Sequence, residues 1–499
     1  MSDIKGTHGV SYKAVDDQYF EKRGLRRYAG VFSLWALGVG AVISGDFSGW
    51  NFGLGFGWGS LLVAAVIITV MYLGLTYSIA EMSPALPHTG GAYSFARSVM
   101  GPWGGFVTGI AENIEYILTP AVIVFFIGSY VGAILGTDAA IQPLYWVAGY
   151  LIFLGLNLFG VELSFKVTVV VTLIALAVLV IFFVSAVPYL DFNRWAMNIG
   201  VGPDGALVEL PEGGGPWFPD GIHGVLGALP FAVWLFLAIE QLPLAAEEAV
   251  DPKRDMPKGI RLGIFTLILT GFGVLFFNAS IGPGSWGLKA SGEPLLEGFR
   301  TMYGTGVANL LSLAAIMGLI ASFHAIMYAF GRQIYSLSRA GYFPQGLSLT
   351  HGTHKTPYMA LIAGSLVGLA IMLVIWFLYG AETGGAFIGA ALLNMAVFGA
   401  MLSYVYQGIS FILLRIKMPH IERPYRSPFG IPGAVATILI CLVTIYFQVT
   451  DPAFRAPVIG VAIYYAIMIV YFALVGRHHL VLSPEEEFAM TKGASGGSH

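Results

Sequence analysis

Apolar runs long enough to cross a lipid bilayer recur along nearly the whole chain, separated by short polar connections. A hydrocarbon core about 30 Å thick needs about 20 residues of helix. Runs of that size predict 12 transmembrane helices, near 29–55, 59–82, 102–136, 142–161, 165–188, 223–245, 260–283, 304–334, 357–380, 386–415, 431–450 and 455–475. Two runs are badly made for a plain anchor. Ala36–Gly57, ALGVGAVISGDFSGWNFGLGFG, holds seven glycines, two serines and Asp46. GVLGALPFAVWLFLAIEQLPLAAEEAV places Glu240 and Pro243 where its helix should still be in lipid, and proline removes a backbone hydrogen bond. Non-helical backbone at that depth is tolerated only inside protein or along a cavity, so both runs predict broken helices that share a site. They lead successive sets of five spans, the pattern of an inverted repeat, although no residue-level repetition joins the halves. The expected organisation is an N-terminal tail (1–28), a first five-helix repeat (29–188), an extracellular loop (189–222), a second repeat (223–415), helices 11 and 12 (416–475) and a C-terminal tail (476–499).

Composition narrows the class. Apolar residues make up 57% of the chain and charged residues 11%, and mean hydropathy is +0.76, far outside soluble proteins. The net charge of −3 and the lack of a basic groove argue against a nucleic-acid partner. Residues 1–28 have no signal-peptide pattern, so the first apolar run is expected to direct insertion. Twelve spans put both termini on one side. With that side cytoplasmic, all but four of the 25 Lys and Arg fall there, including Arg23, Arg26, Lys253, Arg332, Arg339 and Arg415; the exceptions are Arg194, Lys289, Arg300 and Arg455. This is the positive-inside bias. The single Cys441, in an apolar run, reads as buried and inert.

The charges inside the spans are acidic. Asp46, Glu112, Glu115 and Glu240 lie within predicted helices, whereas Lys166 and Arg332 sit near cytoplasmic ends. Ionisable groups at this depth are costly and mark substrate or ion paths. A bound cation would answer the cost. Glu112 and Glu115, three apart, share a helix face, and Phe47, Trp50, Tyr116, Trp234 and Phe236 can close a compartment around an ammonium group.

The motifs resemble a family. Glu81 followed by Pro87, Gly90, Gly91, Ala92 and Tyr93 is similar to the cytoplasmic signature of the amino acid–polyamine–organocation (APC) transporters. EQLPLAAEEAVDPKRDMP, from Glu240 to Pro257, resembles their sixth helix and following loop, and Ser44-Gly45 sits where they break helix one. The resemblance covers about residues 25–475. It implies an all-α, LeuT-like 5+5 fold, and the string GVGAVISGDFSGWNFG looks most like the ethanolamine permeases within that superfamily. In amino acid permeases, the resemblance implies, freed helix-one amides hold the substrate carboxylate. Here Asp46 follows Ser44-Gly45 directly, and would repel such a carboxylate by several kcal/mol if both were charged and desolvated. Ethanolamine, an ammonium without a carboxylate, fits better, its hydroxyl meeting Ser44 or Asn394.

Each residue has a plainer reading. Asp46 can cap the broken half-helix instead of meeting substrate, and Glu240 can bridge the open helix. One of Glu112 and Glu115 can be a protonated packing residue. His324 reads more readily as a satisfied interior histidine than as a proton relay, and His351 and His354 as loop residues without a metal. Glu81, Arg97, Glu247, Glu248 and Arg254 are expected to set cytoplasmic gating and loop packing. Residues 83–101 should pack on the bundle without spanning it; loop 189–222 reads as a solvated charged loop. The tail after Arg477, ending TKGASGGSH, reads as disordered and without chemistry.

The leading reading is a permease importing ethanolamine or a similar small cationic amine through a bacterial inner membrane, by alternating access. An amino acid permease of the same fold is the alternative. A membrane enzyme would need a water-accessible nucleophile or metal set, and none is visible. No cofactor is expected, and the coupling ion, Na+ or H+, stays open. Helix five lacks the lysine of some proton-coupled relatives; Ser322 is a candidate sodium ligand, and the membrane potential alone can drive a cation inward, at about 2.3 kcal/mol per charge per 100 mV.

Overall fold

A computed structural model describes residues 4–5, 9–13, 15, 17–23, 25, 27–86, 88, 90–379 and 385–491. Arg26, Pro87 and the last eight residues of the predicted tail fall outside the described residues. Among the described residues, 11 helices are long and apolar enough to cross a membrane, or 12 with one bent pair counted as a span. In chain order the spanning elements are α1 (Val31–Phe47, continued by Trp50–Phe56), α2 (Trp58–Ala85), α3 (Ala92–Leu135), α4 (Gln142–Leu158), α5 (Val161–Ala186), α6 (Gly221–Trp234, continued by Ile239–Glu248) and α7 (Pro252–Phe277). They continue with α8 (Pro294–Arg339), α9 (Tyr358–Tyr379), α10 (Gly385–Lys417), α11 (Gly430–Thr450) and α12 (Arg455–Leu474). The protein is thus a mostly helical, multi-pass membrane protein.

The bundle is built around the two interrupted elements. α1 packs on α5, α7, α8 and the second part of α6, while the first part of α6 packs on α2. α3 forms its main interfaces with α8 and α10. The outer faces of α4, α5, α9 and α12 carry exposed apolar side chains such as Leu151, Val184, Phe377 and Ile467, the surface a helix presents to lipid.

Ala92–Leu135 and Pro294–Arg339 each comprise two helices that meet at a kink, at Gly101 (φ 76°) and Gly304 (φ 72°), so the spans predicted from 102 and 304 start at the kinks. A polar helical turn therefore precedes each apolar segment, and segment 83–101 is largely helical. The charged residues of loop 189–222 are all exposed, as a solvated loop requires, and the loop also carries local structure. Strands β1 (Ile4–Lys5) and β2 (Ser11–Lys13) lie at the end of the bundle that holds both termini, and β3 (Ile199–Val201) pairs antiparallel with β4 (Leu207–Glu209) in this loop at the far end. Its Trp217 carbonyl packs so closely on Gly59 that a Cβ there would lie 2.3 Å away.

The C-terminal tail departs most from expectation. Strand β5 (Leu480–Val481) pairs parallel with β2, and helix α13 (Pro484–Thr491) packs on α3. An acidic Pro-Glu-Glu-Glu start reads as solvated in sequence, but Glu485 and Glu486 are buried, since positive side chains from distant segments wait for them.

Candidate functional site

α1 loosens in two steps. At the first, the Ser322 hydroxyl of α8 donates to Gly40 O (2.7 Å) and accepts from Ser44 N (2.9 Å). A hydroxyl thereby stands between a carbonyl and the amide four residues on, an insertion that bends helices. Helix nevertheless continues through Ser44-Gly45 to Phe47. The break itself falls at Ser48-Gly49, four residues later than the motif suggested. Ser48 is extended and Gly49 has φ 95°, a conformation glycine adopts without steric cost. The carbonyls freed there are satisfied: Phe47 O accepts from Tyr130 Oη (2.8 Å), and Ser48 O accepts from Trp234 Nε1 (2.9 Å).

α6 breaks beside it. Its first part ends at Trp234, Ala238 takes φ 84°, and a 3-10 segment runs from Ile239 to Glu248. Glu240 Oε2 accepts from the freed Ala238 amide (3.1 Å), so one oxygen bridges the open helix, the plainer of its two roles. The other oxygen has no hydrogen-bond partner among the described residues. The two breaks touch where the Trp234 carbonyl lies against Gly45, close enough that a Cβ there would approach to 2.4 Å. Gly45→Ala should therefore wedge α1 off α6 at a cost of about 1–3 kcal/mol, read as a lowered melting temperature in detergent. An unchanged melting temperature would show that the contact yields without cost.

The buried acids form two groups. Glu112, Glu115 and Glu240 lie within interaction range of one another, together with Tyr72, Tyr116 and Tyr404. Tyr116 Oη donates to Glu112 Oε1 (3.0 Å), Tyr72 and Tyr404 share a hydrogen bond (3.2 Å), and Phe236 packs on Tyr72 with ring centroids 5.4 Å apart. Among the described residues, both Glu115 oxygens and one each of Glu112 and Glu240 have no hydrogen-bond partner. Asp46 does not join this cluster. It is 1% exposed, neither oxygen has a donor within 3.5 Å among the described residues, and it faces α7 beside the Thr270 hydroxyl and Gly271, whose added Cβ would lie 3.7 Å from Oδ1. It caps no amide.

Other predicted positions lie elsewhere. The Phe47 ring points at Gly318 of α8. Asn394 Nδ2 donates to Ala390 O (3.0 Å), and Asn394 lines a cavity of about 410 Å³ at the far end, with Asp220, His223, Phe231, Phe454 and Gln448; nothing places it beside Ser44. His324 is a satisfied interior residue, held by Asn157 (3.0 Å) and the Ser164 hydroxyl (3.0 Å). Ser322 already bonds α1 in both directions, as described. Tyr72, Tyr130 and Tyr404 were missed by the sequence reading. Their signal was a hydroxyl in mid-span, away from the interfacial belt where tyrosines gather.

The end holding the termini is sealed by paired charges. Arg332 Nη2 meets Glu248 Oε1 (2.9 Å), and the Tyr328 hydroxyl donates to Glu248 Oε2. The Glu248 carbonyl takes the amides of Tyr28 and Ala29, tying the start of α1 to α6. Arg339 bridges Glu247 (2.7 Å) and Glu485 (2.8 Å), Arg97 meets Glu486 (2.5 Å), and Arg415 meets Glu81 (2.6 Å). Arg254 is exposed and takes no part beyond its amide on Asp251. His88, Glu247 and Glu485 bring ligand atoms within 4.8 Å of one another, but Arg339 already supplies the positive charge between the two carboxylates. His351 and His354 stack in an exposed loop.

Residues 30–474 match the family described as "Amino acid permease". An uncharacterized transporter of Rhizobium meliloti is 28% identical over 438 residues, covering 85% of this chain and 87% of its own. The branched-chain amino acid permease of Bacillus subtilis is 25% identical (84% and 88% covered), and the methylthioribose transporter of the same organism 24% identical (92% and 96%).

Proposed function

Because this chain belongs to the amino acid permease family, matched over residues 30–474, we propose that it is a secondary transporter importing ethanolamine or a closely related small cationic amine. The family and the transporters similar to it speak for a permease and not an enzyme. In this reading α1–α5 and α6–α10 form a LeuT-like 5+5 inverted repeat, and alternating access turns about the two breaks. The termini lie in the cytoplasm of a bacterial cell whose inner membrane holds the protein, consistent with the basic residues gathered at that end.

One observation carries the substrate class. At the terminal end every buried carboxylate described above has an arginine, whereas Asp46, Glu112, Glu115 and Glu240 have none within hydrogen-bonding distance among the described residues. Unpaired acids in a dry interior are stabilised by a cation that enters with its own hydrogen-bond donors. An ammonium group does this, and Tyr116, Trp234 and Phe236 supply aromatic walls around the breaks. A zwitterion would bring a carboxylate into the same acidic interior. The likeness to a branched-chain amino acid permease favours an amino acid as the second reading.

No coupling ion is assigned. Ser322 spends its hydroxyl on α1, and an amine cation responds to membrane potential without a partner ion.

A thermal-shift screen separates the readings. At a hundredfold excess over its Kd a true substrate adds about 2.7 kcal/mol to the folded state, so ethanolamine should raise the melting temperature where leucine, alanine and arginine do not. Stabilisation by an amino acid and none by ethanolamine would replace the first reading with the second.

A further inference from the structure

The mechanism described so far does not use the C-terminal helix, yet α13 carries the most heavily bonded carboxylate of the terminal end. Glu486 Oε2 accepts from Arg97 Nε (2.5 Å) and Tyr12 Oη (2.8 Å), and its Oε1 accepts from Tyr93 Oη (2.8 Å) and Tyr342 Oη (2.8 Å). Next to it, Glu485 meets Arg339 Nη2 (2.8 Å) and Ser336 Oγ (3.3 Å). Both acids are essentially without solvent exposure, while Glu487 of the same turn is exposed. Phe488 packs edge-on against His88, with centroids 5.6 Å apart. β5 adds the tail to the N-terminal strand β2.

These bonds gather several stretches of the chain at the terminal end. Arg97 and Tyr93 belong to α3, and Ser336 and Arg339 to α8. Arg339 also grips Glu247 at the end of the second part of α6 through two further hydrogen bonds, and the neighbouring Glu248 holds α1. In the alternating-access reading, a path from the breaks to this end passes between the α1–α6 pair and the α3–α8 pair. α13 sits on the α3–α8 side of that division and is tied across it by Arg339, which Glu485 shares with Glu247 of α6, and by Tyr12 of the N-terminal segment that leads into α1.

We propose that α13 is an autoinhibitory latch: docked through Glu485 and Glu486, it holds the terminal end shut, and it must release for substrate to leave there. This rests on the alternating-access reading above. Losing a charge-assisted bond to a buried arginine is expensive when nothing replaces it, but release brings water to both partners. The docked state is thus favoured without being irreversible.

The test reads accessibility, which does not depend on knowing the substrate. In a Cys441→Ser background, Ala246→Cys places a thiol in the buried second part of α6, and a membrane-impermeant maleimide probes it in nanodiscs. The full chain should label slowly. Glu486→Gln should label about tenfold faster, the change that loss of one charge-assisted bond gives, and a chain ending at His479 faster still. Equal labelling rates in all three, with Glu486→Gln melting as the full chain does, would overturn the latch. Faster labelling without ethanolamine uptake in any variant would leave the latch standing and remove only the substrate assignment.

Discussion

Asp46→Asn is expected to abolish ethanolamine uptake in proteoliposomes while leaving the protein folded. The carboxylate is buried and, among the described residues, neither oxygen has a donor within 3.5 Å, with the Thr270 hydroxyl as neighbour, so folding alone gains little from its charge, and the isosteric amide removes a desolvation cost. Substrate binding should suffer in proportion: losing one partner of a desolvated charge pair costs about 2–5 kcal/mol, or from roughly 30-fold to several thousandfold in affinity. Melting temperature should stay level or rise. The two acid groups make the result decisive. Near-normal uptake by Asp46→Asn, with loss in Glu115→Gln, would move the counter-ion from α1 to the Glu112–Glu115–Glu240 cluster; loss in Asp46→Asn alone would keep it beside α7.

The largest effect on stability should come from Arg332→Met. Arg332 and Glu248 are almost fully buried and paired at 2.9 Å, and removing one leaves the other charge stranded, at about 3–5 kcal/mol. The double variant Arg332→Met, Glu248→Gln removes both charges and should recover most of that loss, because a buried pair taken out whole costs little. A double variant as unstable as the single would mean that packing, not charge, carries the effect. Lys253 and Glu422 form the opposite case. Their contact is as short, at 2.7 Å, but more than half exposed on both sides. Lys253→Ala should change the melting temperature by no measurable amount, since exposed pairs contribute about 0–1 kcal/mol.

Bilayer thickness made most of the architecture readable. A run of apolar residues has few options in lipid other than helix, so the spans, the mostly helical class and the two weak helices followed from local composition. The match to the amino acid permease family agrees with the motifs around Glu81 and Glu240. Local signals failed where a residue's partner is far along the chain. Gly49 looks like any of its neighbouring glycines until Trp234 and Tyr130 are seen to hold the carbonyls on its amino side. Asp46 and Glu240 look equivalent as intramembrane acids, yet one faces α7 without a donor and the other closes a freed amide.

The tail shows the same limit most sharply. Pro484–Thr491 is polar and acidic, and nothing local separates it from a solvated end. Its burial depends on Arg97, Arg339, Tyr12, Tyr93 and Tyr342, which approach it from three separate stretches of chain. Hydrophobic patterning is a local property that hydrocarbon enforces residue by residue, so it could be read in order along the sequence. Charge pairing is a property of meetings, and those positions became partners only when the helices closed into a bundle.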